Sequence, residues 1–532
     1  MSMKWCSRFA CLLLLSSSLL GAQVSVVTYH NDNYRSGANT QEIVLTPSNV
    51  NSSRFGRKMV FPVQGQVYAQ PLYVPNVNIN GTNHNVLYVA TEHDQVYAFD
   101  VDSGQQLWHN NLLVSHSVLL QISSVPNGDV SCNDMTPEIG ITGTPVIDQA
   151  NNAMYLVTKT KEVNLQVHTT TYYQTLHQID LRFGIDRVIP RRITGTFDGI
   201  GTGSVAGVLT FDPLVEGQRS ALLLHPNGQL MVAWASHCDN GPYHGWLMSF
   251  NKGNMANTAI YLDTPNGVEG GFWAAGSGPA TDTDGFVYLP TGNGTFNGNS
   301  GGHDFGDSVL KMSWTSGSGF TLSDYFTPWD QQNLDNGDVD VASGGVVLLP
   351  DQPGTPLPHL LVQVGKEGTI DLINRDNMGH FHSGNDSQIV QTLPSAIGGV
   401  WGGPAFWNNK VYFGGVNDRL KAYAFDPQAQ RLSASPVSTS SHTFAYPGPT
   451  PSVSANGTSN GIVWVVQADN SSSFAVLRAF DANNLATELY NSEQNPARDR
   501  AGNRIKFSVP TIADGHVFVG TQNQVAMYGL LN

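Results

Sequence analysis

The densest group of reactive side chains in the chain lies at Ser236-His237-Cys238-Asp239-Asn240-Gly241-Pro242-Tyr243-His244. Two imidazoles, a thiol and a carboxylate this close together can hold a transition metal, whose usual ligands they are, or line a polar pocket between two strands. Two more groups have similar composition: Glu92-His93-Asp94, and Cys132-Asn133-Asp134 followed by Glu138. These two groups are expected at equivalent strand ends, facing the central channel. Other motif classes are empty. There is no phosphate-binding loop, no dinucleotide-binding glycine pattern after a strand and no His-Glu-x-x-His. Gly298-Asn299-Ser300-Gly301-Gly302 matches a nucleophile-elbow pattern, but it stands in a Gly/Asn-rich loop with no strand before it and no helix after it.

The scaffold is legible from composition and repetition. Charged residues make up only 13% of the 532 residues, 55 are glycine, and the formal net charge is −15. This composition suits a turn-rich β protein. It argues against nucleic acid or an anionic membrane surface as partner. A short apolar run recurs at Leu87-Tyr88-Val89, Met154-Tyr155-Leu156, Leu230-Met231-Val232, Val287-Tyr288-Leu289, Leu360-Leu361-Val362, Val411-Tyr412-Phe413, Val463-Trp464-Val465 and Val517-Phe518-Val519. Pro-led strands precede several of these runs, at Pro145, Pro279, Pro404 and Pro510. A second apolar strand ending in Asp follows others, at Asp100, Asp426 and Asp481. Periods of this size, with several strands in each, indicate a propeller. The expected fold is therefore all-β: an eight-bladed propeller of four-stranded antiparallel blades over residues 50–532. The last unit ends without a fourth strand, and Lys58-Met59-Val60-Phe61-Pro62-Val63 is a spare strand near the N-terminus. Pairing the two closes the ring. Loops at one end of the blades then converge on the central channel, the default site of such a fold.

Residues 1–22 read as a secretory signal: Lys4 and Arg8 precede the apolar run Phe9–Leu20, and cleavage is expected after Ala22. Residues 23–49 form an N-terminal extension. Twelve apolar residues are too few to span a bilayer, so no membrane span is expected. The expected compartment is secreted or periplasmic, where Cys132 and Cys238 either form a disulfide or remain two buried thiols. No Cys-x-x-Cys-His occurs, so no covalently attached c-type haem is expected.

The stretch Ala98-Phe99-Asp100-Val101-Asp102-Ser103-Gly104-Gln105-Gln106-Leu107-Trp108 resembles the tryptophan-docking repeat of the quinoprotein alcohol dehydrogenases and the wider set of PQQ-binding-like propellers. It is also close to secreted bacterial members of unassigned activity. The resemblance spans the mature chain and implies positions for a site. Gly270-Gly271-Phe272-Trp273 and Thr291-Gly292-Asn293-Gly294 are similar to the family's Trp floor and its T-G-N segment, which would place Trp273 against a quinone and Asn293 on Ca²⁺. Thr327-Pro328-Trp329-Asp330 followed by Asp338-Val339-Asp340 resembles the segment of the catalytic base, nominating Asp340 or Asp338. Lys366 in Gly365-Lys366-Glu367-Gly368 would contact the quinone oxygens. Two positions depart from the pattern. Asp239 or Asn240 stands where the family carries a metal-binding Glu, and the vicinal Cys pair that roofs the quinone is absent. His237, Cys238, His244, Glu92, His93 and Asp134 remain further pocket candidates. Two functions are open at this point: a PQQ- and calcium-dependent dehydrogenase of an alcohol or sugar, or a non-enzymatic propeller binding an extracytoplasmic ligand, glycan or protein.

Overall fold

The computed structural model describes residues 23–115, 117–469 and 473–531; residues 1–22, expected to be a signal, lie outside them. Among the described residues, eight sheets of four to six strands and one two-stranded hairpin form, joined by short turns and two short α-helices, Gln331–Asn336 and Pro496–Asp499. All eight apolar runs seen in the sequence lie within the second strand of their sheet, for example Thr82–Ala90, Leu360–Val364 and His516–Gly520. These strands are covered on both faces, which is why they read as continuous apolar stretches.

Eight hydrophobic clusters join the sheets, each shared by two consecutive ones. The first and second sheets meet through Tyr88, Ile147 and Leu156. The seventh and eighth meet through Trp464 and Val517, and the eighth returns to the first through Phe518, Phe61 and Leu87. The ring closes as the sequence leads one to expect: Phe55–Pro62 pairs antiparallel with the C-terminal strand Gln524–Leu530, from Phe55 against Leu530 to Pro62 against Gln524. Closure removes two edges that would otherwise be free to pair with other chains. In the first sheet Trp108 closes the repeat by docking on the second: its indole N–H donates to Leu181 O at 2.9 Å. A Cβ on Gly184 would lie 2.4 Å from the Trp108 ring, and Gly184 has φ +69°. Only glycine serves at that position.

The N-terminal segment is woven into the ring. Between Val26 and Asn39 it bonds to the edge strand of every sheet in turn. Its partners are Tyr73, Ile147 and Leu224, then Thr281, Leu348 and Phe406, and finally Val453 and Ile512. Arg35, 1% exposed, fixes the crossing by donating to Thr28 Oγ1, Tyr29 O and Pro279 O. These bonds satisfy the outward N–H and C=O groups of the innermost strands.

Candidate functional site

The segments that lead into the innermost strands build the site. Ala280–Thr281 is the innermost strand of the fourth sheet, and Trp273 lies just before it. Val347–Leu348 plays the same part in the fifth sheet, with Asp340 and Ser343 upstream. Arg219 precedes the third sheet, Trp401 the sixth and Tyr446 the seventh. These residues, with Asp134, Cys238, Asp239, Ala275 and Lys366, line one pocket of about 440 Å³.

Trp273 and Asp340 meet over Gly292. A Cβ on that glycine would stand 2.4 Å from Asp340 Oδ1 and 2.6 Å from Trp273 Cδ1. Asp340 is 4% exposed. Its Oδ1 accepts the Asn293 backbone N–H at 2.9 Å, and its Oδ2 lies 2.5 Å from Lys366 Nζ. The same ammonium is 2.6 Å from Asp338 Oδ1. Burial opposes the charge on Lys366, but Asp340 and Asp338 outweigh it and hold the ammonium up at about 12. Asn293 donates its amide N–H groups to Asp307 Oδ2 and Leu334 O, which leaves its Oδ1 buried without a partner.

The wall facing these groups is covalent. Cys132 and Cys238 form a disulfide across a separation of 106 residues. The pocket therefore has a sulfur-lined wall, although no vicinal Cys pair is present. Asp239, next to it, accepts from Tyr243 Oη at 2.9 Å, and Tyr243 meets the edge of Trp273 with ring centroids 6.0 Å apart. Loss of solvation pushes the Asp239 carboxyl up, and Asp340 and Asp338 add to the effect. Asn240 points elsewhere: its amide clamps Val130 O at 2.8 Å and steadies the Cys132 segment. Asp134 pairs with Lys506 at 3.0 Å. Burial opposes that charge, but Lys506 and Arg219 hold the carboxyl below its ordinary value.

The other candidates separate from this pocket to different degrees. His237 lines a smaller cavity of about 270 Å³ that shares Asp134, Arg219, Cys238 and Trp273 with it. Its Nε2 lies 2.7 Å from the buried Lys159 Nζ. Burial holds Lys159 down at about 7. His244 is buried between Thr264 Oγ1 and Thr202 O, a structural tie between loops. With Cys238 in a disulfide, His237, Cys238 and His244 do not form a metal centre. His93 pairs with Glu138 at 2.9 Å.

Glu92 is fully buried and accepts from Gly140 N and Thr142 Oγ1. Burial pushes its carboxyl up to about 7. The folded protein therefore keeps this proton between about pH 4.5 and 7, where the unfolded chain loses it. Stability falls as pH rises through that window and then levels. Glu92→Gln is expected to flatten this fall and to gain on the parent by on the order of 2 kcal/mol at pH 7; urea unfolding from pH 4.5 to 8 checks it, and parallel profiles would refute it.

Sequence reasoning missed Arg219, Trp401, Tyr446 and Ser343. Their one shared signal is position, shortly before the innermost strand of a sheet. Arg219 is the most informative. Its guanidinium stacks on Phe507 at 4.2 Å, and its Nη2 is buried without a hydrogen-bond partner. Trp273 Nε1 is likewise a buried donor with no partner. Two unfilled donors lining one pocket fit a flat ligand that carries acceptor oxygens. A calcium cage is a different matter. Among the described residues, the only three His, Cys, Asp or Glu donor atoms lying within 4.8 Å of one another belong to Cys132, Cys238 and Asp134, and two of these are the disulfide sulfurs. Asp340 and Asp338 are both drawn onto the Lys366 ammonium. The residues present fit an acidic quinone; toward calcium the site offers the unpartnered Asn293 Oδ1, while its carboxylate Asp340 is shared with Lys366.

No protein-family model matches the chain, and no curated protein matches it. Solved structures of similar fold include quinoprotein dehydrogenases. The quinohemoprotein alcohol dehydrogenase of Comamonas testosteroni aligns with a TM-score of 0.60 at 13% identity, covering 95% of this chain and 80% of that one. Quinohemoprotein alcohol dehydrogenase ADHIIG of Pseudomonas putida HK5 gives 0.58 at 12%, with 95% and 80% covered. A europium-containing methanol dehydrogenase gives 0.58 at 12%, with 95% and 98% covered. At such identities the likeness is one of fold, and the fold is the propeller of the quinoprotein alcohol and methanol dehydrogenases.

Proposed function

We propose that this chain is a secreted or periplasmic quinoprotein-like propeller whose channel pocket binds an acidic quinone of the PQQ class and oxidises an alcohol or sugar. One observation carries the reading. Trp273, Asp340, Lys366 and the Cys132–Cys238 disulfide are far apart in sequence, yet they line a single pocket that also holds the unpartnered Arg219 Nη2. A bound quinone supplies a two-electron acceptor. Trp273 offers a face to its ring. The Lys366 ammonium and the Arg219 guanidinium offer charge to its oxygens, where such donors act most strongly away from water. Asp340 stands beside Trp273 to accept a proton from a substrate hydroxyl. The disulfide favours an oxidising compartment, and no helix among the described residues is long and apolar enough to cross a membrane.

A second reading, a ligand-binding propeller without turnover, is favoured by the grip of Lys366 on both Asp338 and Asp340. Thermal melts with PQQ and Ca²⁺, each alone and together, test the first reading. A ligand that binds only the folded state raises the midpoint by mass action. PQQ alone is expected to raise it and to quench tryptophan fluorescence, with both effects lost in Trp273→Ala and Arg219→Ala and little added by Ca²⁺. Dye-linked alcohol oxidation by the loaded protein then separates enzyme from binder. No shift in folded protein retires the quinone reading.

A further inference from the structure

A second pocket, of about 530 Å³, lies on the far side of Asp340. It is lined by segments of the fourth and fifth sheets and contains Trp329, Asp330, Glu367, Asp371 and Asp386. Its composition is one-sided: no Lys, Arg or His lines it. Apart from Asp340, which belongs to Lys366, none of its carboxylates forms an ion pair within 4.0 Å among the described residues.

Two nearly buried side chains of this lining carry oxygens without a hydrogen-bond partner. Gln363 is 2% exposed, and its amide N–H groups donate to Val341 O at 2.6 Å and Val364 O at 3.1 Å. This leaves its Oε1 without a partner. Asp371 is 7% exposed, and its Oδ1 also has no partner. Buried acceptors without donors are costly unless a ligand supplies the donor or the positive charge. Burial pushes the Asp371 carboxyl up to about 8, against a bond from Thr392, and Asp386, Glu367 and Asp330 add to the rise; Asp371 therefore holds a proton near neutral pH, which a cation seated beside it would displace. Trp329 belongs to the same wall. The residue is 44% exposed, and its backbone is fixed by the N–H donated to Asp386 Oδ1 at 2.9 Å. The carboxylates do not bring three oxygens within 4.8 Å of one another, as chelation of a bare metal ion requires. They are spread around a space with apolar walls at Leu334 and Val339. An indole face with dispersed carboxylates suits a cation whose charge is diffuse and whose surface is apolar.

We propose that this pocket binds a small organic ammonium ion, methylated or alkylated at nitrogen, against Trp329 and between Asp371 and Asp386. The proposal does not rest on the quinone reading, because Trp273 is not part of this wall. Calorimetric titration of the full mature chain with tetramethylammonium chloride, at constant ionic strength, tests it. Uncharged 2,2-dimethylpropanol and calcium chloride serve as comparisons. Tetramethylammonium is expected to bind saturably and to change Trp329 fluorescence. Affinity should fall at least tenfold in Asp371→Asn and in Asp386→Asn and be lost in Trp329→Ala, a surface change that leaves the melting midpoint in place. Trp273→Ala should bind normally, so this site and the quinone site fail separately. Equal binding of the uncharged alcohol, undiminished binding in Trp329→Ala, or calcium binding without tetramethylammonium binding would each overturn the proposal.

Discussion

Lys366→Met is expected to lower the unfolding free energy by about 3 kcal/mol near neutral pH, because it strands the Asp340 carboxylate in a site from which water is largely excluded. The side chains of Lys366 and Asp340 are 18% and 5% exposed, whereas that of Asp338 is 73% exposed. Water can therefore resolvate Asp338 when the ammonium is gone, and Asp340 bears most of the loss. Its remaining support is the Asn293 N–H. Removing the stranded charge should repair the damage, so Lys366→Met with Asp340→Asn is expected to recover most of the stability. Urea unfolding of the two singles and the double closes the cycle. The pH dependence has a definite sign. The folded pKa of Lys366 is raised from the ordinary 10.5 to about 12. The pair's contribution is thus complete below about pH 10.5 and is lost as pH rises through 12; Lys366→Met should lack this alkaline loss. The same variant asks whether the ammonium is the resident cation of the site. With Lys366 gone, two carboxylates face one another, and calcium is expected to raise the melting midpoint of Lys366→Met more than that of the parent. A loss below half a kcal/mol, with no repair in the double variant, would mean that the pair behaves as a surface ion pair.

The scaffold is legible in the sequence because its information is local and repeated. A strand covered on both faces must be apolar along its length, so Leu360–Val364 and His516–Gly520 announce themselves. Closure follows from counting, since Phe55–Pro62 has no meander of its own and the last sheet lacks one strand. The path of residues 26–39 was not legible. It makes roughly one contact with each sheet, and contacts of that kind impose no period on the sequence. The site divides along similar lines. Trp273, Asp340 and Lys366 carry motif contexts, and they line one pocket. Arg219, Trp401 and Tyr446 stand singly in segments that only the ring brings together, so no spacing betrays them. The histidine-rich stretch shows the opposite failure. His244 is as polar as a ligand would be, but its two nitrogens are taken up by Thr264 and Thr202 in packing loops together. Composition proposes reactive groups, and only geometry distinguishes a free donor such as Arg219 Nη2 from a satisfied one.

Breaking the Cys132–Cys238 disulfide should have the largest effect on stability of any change at the site. The bond closes a loop across 106 residues. By the chain-entropy argument, opening a loop of that length costs about 4–5 kcal/mol. The loop contains the second sheet except its strand Leu120–Pro126, together with the first half of the third, so the bond restrains a region larger than a hairpin. Cys132→Ser, Cys238→Ser and the double variant should lose about the same amount, since one bond is either present or absent. Beyond stability, the bond holds Cys238 and Asp239 against the pocket and keeps Asp134 within reach of Lys506. The Asn240 clamp on Val130 O is too weak to replace it, because one part-buried hydrogen bond contributes about 1 kcal/mol. Amide exchange in residues 127–139 should therefore rise at least tenfold in the serine variants, while exchange in the sixth and seventh sheets stays unchanged. Urea midpoints with and without dithiothreitol give the global measure, and exchange mapped by mass spectrometry gives the local one. Equal midpoints under both conditions would show that the Cys132 segment is held by its packing against Tyr68, Tyr172 and Leu214. Lost exchange protection spread evenly around the ring would show instead that the disulfide steadies the whole propeller and not the wall of one pocket.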